Sequence, residues 1–313
     1  MSSLALKPKK SIGRQLKRIA RKELGSAAER LLQDHRDDED VHEGRKSLKK
    51  VEALAVLLHQ VGSAPRRRDR KRLRAARRTL SRARDADAIV ETFDHLRSRF
   101  AHRIPEHTSA MIRRHLTRRK SAATRRARAG AGSLTRAGTI VRKIRRSVKE
   151  WSVPSIDLSD LPELIGRSFR ASRKAMMRAQ TRGRASDFHE WRKRVKNLSY
   201  QLRLVERLVS GLSAQIEEFR ELEQALGEAH NLVVLRTKLK RNRGLRQMRS
   251  QIDDLTAMST ALQEELGRSA LVLGTRLYTM TPKAFANDLR RRLRPKGTPR
   301  RKPKPGTRGR AVG

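Results

Sequence analysis

The stretch VHEGRKSLKKVEALAVLL, residues 41–58, returns as FHEWRKRVKNLSYQLRLV at residues 188–205. With the preceding aspartate included, DVHEGRK and DFHEWRK agree in five of seven positions at an offset of 147. Leu48, Val51, Ala55 and Leu58 of the first copy correspond to Val195, Leu198, Leu202 and Val205 of the second. Steps of three and four residues put each set on one side of a helix, so one amphipathic helix is written twice. Further along, RAARRTLSRARDADAIV at 74–90 aligns with RELEQALGEAHNLVVLR at 220–236 at an offset of 146, keeping Leu80 with Leu226 and Ala83 with Ala229. Self-similarity at a constant distance makes the chain a tandem duplication.

The same apolar spacing recurs through most of the 313 residues, and no run of alternating β-branched residues interrupts it. The fold class is therefore all-α, as two tandem helical bundles of the four-helix-bundle type. Helices are expected near 11–34, 38–61, 66–102, 106–129 and 136–150, then 163–182, 187–210, 213–242 and 245–273. A first bundle spans 11–150 and a second 165–274. Between them WSVPSIDLSDLPEL, 151–164, has two prolines and no helical stripe, which reads as a linker. From Arg291 to Gly313 there is no acid, but four prolines and four glycines, the composition of a disordered basic tail that folding does not need.

Charge narrows the partner. Lys and Arg number 77 against 32 Asp and Glu, a formal charge of +45, and 56 of those cations are Arg. The planar Arg fork matches phosphate oxygens better than the point charge of Lys. Between residues 97 and 149 there are 17 Lys and Arg and one acid, Glu106, an excess that pairing within the segment leaves unneutralised and that a polyanionic partner relieves. Ten aromatic residues are too few for a surface that stacks one base per ring. The absence of cysteine excludes disulfides, thiolate metal sites and cysteine nucleophiles, and fits a reducing cytoplasm. No apolar run approaches the roughly 18 residues of a membrane span, so no membrane partner is expected. The first 25 residues carry cations without a continuous apolar region, which reads as the first helix of the bundle, with an Arg-rich presequence as the alternative.

On the repeated helix His42, Arg45, Lys46 and Lys49 stand at i, i+3, i+4 and i+7, away from the apolar stripe, and His189, Arg192, Lys193 and Lys196 repeat the arrangement. A cationic row two turns long spans about 10 Å and meets several phosphates of a linear polyanion in succession. Asp40 and Asp187 read as N-caps with Glu43 and Glu190 three positions on, which puts each histidine at a helix start. The two histidines read equally as phosphate contacts and as capping or packing residues. The next helix adds Arg74, Arg77 and Arg78, with Arg70, Arg82 and Arg84 nearby and Asp85 and Asp87 as partners for some of them. Its counterpart in the second half is acidic, with Glu217, Glu218, Glu221, Glu223 and Glu228, followed by His230 and Asn231.

The two helix copies, with LSRARDADAIV and LGEAHNLVVL behind them, resemble the two halves of a CHAD domain, the conserved histidine α-helical domain, over residues 11–273. The resemblance implies two four-helix bundles related by pseudo-twofold symmetry, no catalytic activity, and inorganic polyphosphate bound on a basic central surface or channel. It points to His42, Arg45, Lys49 and Lys50, and to His189, Arg192 and Lys196. Asn197 stands where a second basic residue is usual, and Glu52 and Ser199 where a third often occurs. The ExExK strands of the triphosphate tunnel domain often fused to this family are missing from the sequence.

The function expected is therefore a stand-alone polyphosphate-binding or granule-targeting module, in which both cationic rows engage one ligand. General nucleic-acid binding without sequence preference is the alternative, carried by the charge and the tail. An enzyme working through a phosphohistidine at His42 or His189 would need a metal or a positioned acid, and no cluster has that spacing. No catalytic residue, metal ligand or cofactor is expected.

Overall fold

In the computed structural model, residues 5–7, 11–34, 37–62, 65, 67–128, 132–153 and 155–293 are described. Among them the apolar stripes become ten α-helices and no β-strand. The first half holds α1 (Ile12–Leu32), α2 (Asp38–His59), α3 (Arg67–Arg99), α4 (Glu106–Arg128) and α5 (Ser133–Ser147). The second holds α6 (Leu161–Arg182), α7 (Ala185–Val205), α8 (Ser213–Lys240), α9 (Arg249–Leu277) and α10 (Pro282–Arg292).

Helix ends follow local chemistry. The Asp37 carboxylate accepts from the Asp40 N–H at 2.8 Å, and the Asp40 carboxylate accepts from the Asp37 N–H at 3.2 Å, so a reciprocal box starts α2 one turn earlier than an Asp40 cap implies. Gly183, at φ +64°, closes α6 in the left-handed conformation that favours glycine.

Neighbours repeat with the sequence. In the first half α1 packs on α2 and α5, α2 on α3 and α3 on α4. In the second, α6 packs on α7 and α10, α7 on α8 and α8 on α9. The halves meet where α2 lies on α7 and α3 on α8, each helix against its own repeat. One apolar core crosses that seam, with Leu48, Val51 and Leu58 of α2 continuous with Val195, Leu198, Leu202 and Val205 of α7. Ala55 is only half-buried, while Ala53, Leu54 and Leu57 are buried with the stripe. A second cluster joins Phe93 and Leu96 of α3 and Ile112 of α4 to Leu235 of α8 and Leu255 of α9.

In the segment 151–164 the apolar side chains Trp151, Ile156, Leu161 and Leu164 are buried while the polar ones between them are exposed. Trp151 is 2% exposed, and its indole N–H donates to the buried Asp69 carboxylate at 3.2 Å, beside the Ser147 hydroxyl at 2.8 Å. Helix α6 already begins at Leu161. Among the described residues no helix is long and apolar enough to cross a membrane.

Helix α10 was not anticipated from the sequence. Thr281 accepts from the Ala284 N–H at 3.1 Å, Pro282 stands in the first turn, and Phe285, Ala286 and Leu289 bury against α6. Three apolar residues ahead of Arg290, Arg291 and Arg292 make too short a stripe to stand out from a basic tail. Its last turn corrects the tail boundary at Arg291. Arg292 pairs with Asp288 at 2.6 Å and donates to the Gly211 carbonyl at 3.3 Å, and Leu293 bridges to Val209. The remainder of the expected tail, 294–313, lies outside the described residues. Deleting 291–313 is expected to lower the melting temperature below that of a chain lacking only 294–313, by about 2–4 °C for each kcal/mol of lost contact. Equal melting temperatures in scanning calorimetry would show that this last turn contributes nothing.

Candidate functional site

Helix starts set the histidines back from where the sequence suggests. His42 and His189 are each the fifth residue of their helices, α2 from Asp38 and α7 from Ala185, so neither stands at a helix N-terminus. Asp40 is the third residue of its helix and also pairs with Arg30 at 3.0 Å. Asp187 is likewise a third residue, buried, with its own N–H donating to the Arg184 carbonyl at 2.9 Å. The dipole and free N–H groups of a helix start are therefore one turn away from each imidazole.

Packing of α2 on α7 brings Arg45 and Lys49 against Arg192 and Lys196. All four side chains are half-buried. Burial, and then the charges of Lys196, Arg45 and Arg192, push the Lys49 ammonium down to about 6, with Glu223 of α8 opposing. Burial also lowers Lys196 and Arg192, again against Glu223. Glu223 is the acid of this cluster, ion-paired with Lys196, with side chains 20% and 18% exposed. The Arg192 guanidinium lies over Gly227 of α8, where a Cβ would meet its Nε at 3.6 Å. That Nε has no hydrogen-bond partner within the protein.

The imidazole of His189 stacks obliquely on His230 of α8, ring centroids 4.3 Å apart. Burial lowers both, to about 4 for His230, where His189, Arg192 and Arg45 add to the effect, while Lys193 and Arg192 add to it at His189. His189 Nδ1 is buried without a partner in the protein. A bound anion would accept from these buried donors and raise the pKa of each neighbouring base. His42 is half-buried on α2.

The remaining expected residues flank this centre. Lys46 and Lys193 are exposed and pair with Glu43 and Glu190 on their own helices, the same pair in both repeats. Lys50 turns to α1, where it meets Glu23 at 3.1 Å. Arg77 reaches Glu52 at 2.9 Å, and Arg74 and Arg78 are exposed on α3. Burial raises the Glu52 carboxyl, against the nearby Arg77, Lys49, Lys193 and Arg74. Asp87 pairs with Lys120 of α4 at 2.7 Å, while the side chains of 82–85 lie outside the described residues.

Glu223 and His230 complete the centre and were read in the sequence as part of a divergent acidic helix. Their signal was the repeat: at the offset of 146, Glu223 stands opposite Arg77 and His230 opposite Arg84. Among the described residues, no group of three or more His, Asp or Glu side chains is arranged to hold a metal ion.

Lys49 makes the electrostatics testable. Its pKa falls from an unfolded value near 10.4 to about 6 in the fold. Between those values the unfolded chain holds a proton that the folded chain releases, so stability rises with pH. Lys49→Met, close in shape, is expected to stabilise the unliganded protein at pH 7 by about 1–4 kcal/mol. The gain should be largest near pH 6 and vanish toward pH 10. Urea unfolding of both proteins across that range checks it, and a destabilised variant at pH 7 would contradict it.

Comparison with known proteins places the chain in a family. The sequence pattern of the CHAD domain matches residues 12–240. A search of curated proteins finds no match. Among solved structures, the chain is similar to the crystal structure of the CHAD domain from the plant Ricinus communis, with a TM-score of 0.56 and 16% identity over 92% of this chain and 94% of that one. With the family pattern spanning both copies of the helix and that fold matched along nearly its whole length, the chain belongs to the CHAD domain family.

Proposed function

We propose that the chain binds inorganic polyphosphate in the seam between α2 and α7, as a binding module without a reaction of its own. The observation that carries this reading is the burial of Arg45, Lys49, Arg192 and Lys196 together, with Glu223 as their acid. Like charges withdrawn from water repel strongly, and a ligand bearing a negative charge on every unit relieves that repulsion along the whole seam. Both repeats contribute a pair of cations one helical turn apart, so one linear chain meets both halves and gains from their shared position. His189 and Arg192 add buried donors suited to phosphate oxygens. The cytoplasm, in association with polyphosphate granules, is the location this reading assigns.

Nucleic acid is the competing partner, favoured by the charge of +45. The seam suits it less, because Tyr200, the tyrosine beside these cations, is buried and already covered by Lys196 at 5.9 Å and Arg203 at 5.7 Å from its centroid. No base can stack there.

Fluorescence titration with long-chain polyphosphate in excess tRNA and duplex DNA tests the reading. Affinity should survive the competitors and fall with salt in proportion to the phosphates neutralised. The double variant Lys49→Met with Arg192→Met should lose about tenfold or more in affinity, each lost charge-assisted contact being worth about 1.5–3 kcal/mol, while its circular dichroism stays that of the parent. Displacement of polyphosphate by equimolar DNA would refute it.

Proton linkage gives a second check. Lys49 near 6 and the lowered His189 and His230 are largely neutral at pH 8, and a bound polyanion raises all three. Binding must then take up protons, and affinity must rise as pH falls from 8 toward 6. Calorimetry in buffers of different ionisation enthalpy reads the uptake directly. An affinity that does not change with pH would place the ligand away from these groups.

A further inference from the structure

A second cationic groove lies between α1 and α5. On α1, Arg14, Lys17, Arg18, Arg21 and Lys22 stand at i, i+3, i+4, i+7 and i+8, a stripe about 12 Å long at 1.5 Å per residue. Arg145 of α5 and Lys149 of the 3-10 turn behind it form the opposite wall. The open groove between them has a volume of about 440 Å³, and no acid lines it. From Ile12 to Lys22, and through all of α5, the sequence contains no acid. The first acid of α1, Glu23, is buried and turned toward α2, where it accepts from the Ser47 hydroxyl at 2.7 Å and from Lys50 at 3.1 Å.

This separates the groove from the other basic surface of the same half. On α4, Lys120 pairs with Asp87 and Arg113 with Asp94 at 2.7 and 2.8 Å, and Arg97 at the end of α3 reaches Glu106 at 3.6 Å. Part of the cationic excess of 97–149 is therefore neutralised by acids of α3 and α4, whereas among the described residues no cation of α5 is ion-paired. Repulsion among cations three and four residues apart weakens a helix. Here, among the described residues, no ion pair relieves it over two turns of α1, and the cations of α5 add to it.

The walls are also preorganised. Lys17 Nζ donates to the Lys149 carbonyl at 3.3 Å, which ties α1 to the turn after α5. Arg145 crosses α1 at Gly25, where a Cβ would come within 3.0 Å of its Nε, so the glycine lets the guanidinium lie close to the helix.

We propose that this groove is a second polyphosphate site, separate from the α2–α7 seam, so that one protein molecule holds two polyphosphate segments and cross-links long chains. The proposal rests on the polyphosphate reading of the seam. A chain with a charge on every unit and no bulky base enters a groove of this width and meets both walls, and the Arg side chains offer it bidentate contacts. A nucleic-acid duplex carries its phosphates on the outside of a rigid rod and would meet only the rim. No aromatic residue lines the groove to hold an unpaired base. The groove is open to solvent, so its binding should depend more steeply on salt than that of the half-buried seam.

The experiment uses the full-length protein and a polyphosphate oligomer no longer than the stripe of about 12 Å on α1, so that one oligomer occupies one site. Calorimetry at low salt should give two oligomers per protein, and lysine acetylation read by mass spectrometry should show Lys17, Lys22 and Lys149 protected. The variant Arg14→Ser, Arg18→Ser, Arg21→Ser changes only exposed side chains. It should bind one oligomer, with seam affinity within about twofold of the parent, lose the protection, and no longer condense long-chain polyphosphate into a sedimenting phase. A single site in the parent, or an unchanged stoichiometry in the triple variant, would overturn the second site and leave the seam standing. Duplex RNA protecting the three lysines at lower concentration than polyphosphate would also overturn it, assigning the groove to nucleic acid. A parent protein that binds no polyphosphate overturns the seam reading and this one together.

Discussion

Like charge held together between α2 and α7 is the condition to which the rest of the structure answers. Lys49 lies beside Arg45, Arg192 and Lys196 because the apolar faces of the same two helices, Leu48, Val51 and Leu58 against Val195, Leu198 and Leu202, belong to one core. Burying each such side chain is worth about 1.5–3 kcal/mol, and the core crossing the seam contains many. Repulsion among four half-buried cations opposes that sum, is reduced by Glu223, and is further reduced when Lys49 gives up its proton. Apolar packing thus holds a cationic arrangement that would not assemble by itself.

Polar ties across the halves fix the register of that arrangement. The Gln201 amide of α7 donates to the Ala53 carbonyl of α2 at 3.2 Å in the buried seam, and Gln60, just past the end of α2, donates to the Ser168 hydroxyl of α6 at 2.8 Å. Near the N-terminus, Leu6 is fully buried and its N–H donates to the Leu204 carbonyl of α7 at 2.8 Å. A buried donor left unsatisfied costs about 1–3 kcal/mol, so sliding α2 along α7 would be penalised at each tie. The cations on both helices are therefore presented in a set alignment.

Two kinds of basic surface follow from where the acids fall. On α3, α4 and α8, acids stand beside the cations, and much of the charge is spent on pairing of small individual value. In the seam and in the groove of α1 and α5, cations outnumber acids and face a common space. The first space is half-buried and coupled to protons, the second open and governed by salt. On the polyphosphate reading proposed above, these are different ways of attracting the same class of ligand.

The duplication, the all-α class and the cationic rows were legible in the amino-acid sequence, because helical periodicity and a helix of charged and apolar residues written twice are properties of local order along the chain. Arg45, Lys49, Arg192 and Lys196 could be named from that pattern alone. That they would share one half-buried space could not, since it depends on α2 meeting its own repeat, 147 positions away. Glu223 and His230 could not be assigned to the site for the same reason: they arrive from α8, and the repeat that aligns them with Arg77 and Arg84 does not tell which space they face. Lys50 and Arg77 carry the same local signature as Lys49, yet Glu23 and Glu52 claim them. The sequence by itself determined which helices form and which of their faces carry charge, because both follow from spacing within a few turns. Only the tertiary structure decided which charges are withdrawn from water, paired, or left facing an anion, because burial and pairing are properties of the neighbours that packing supplies.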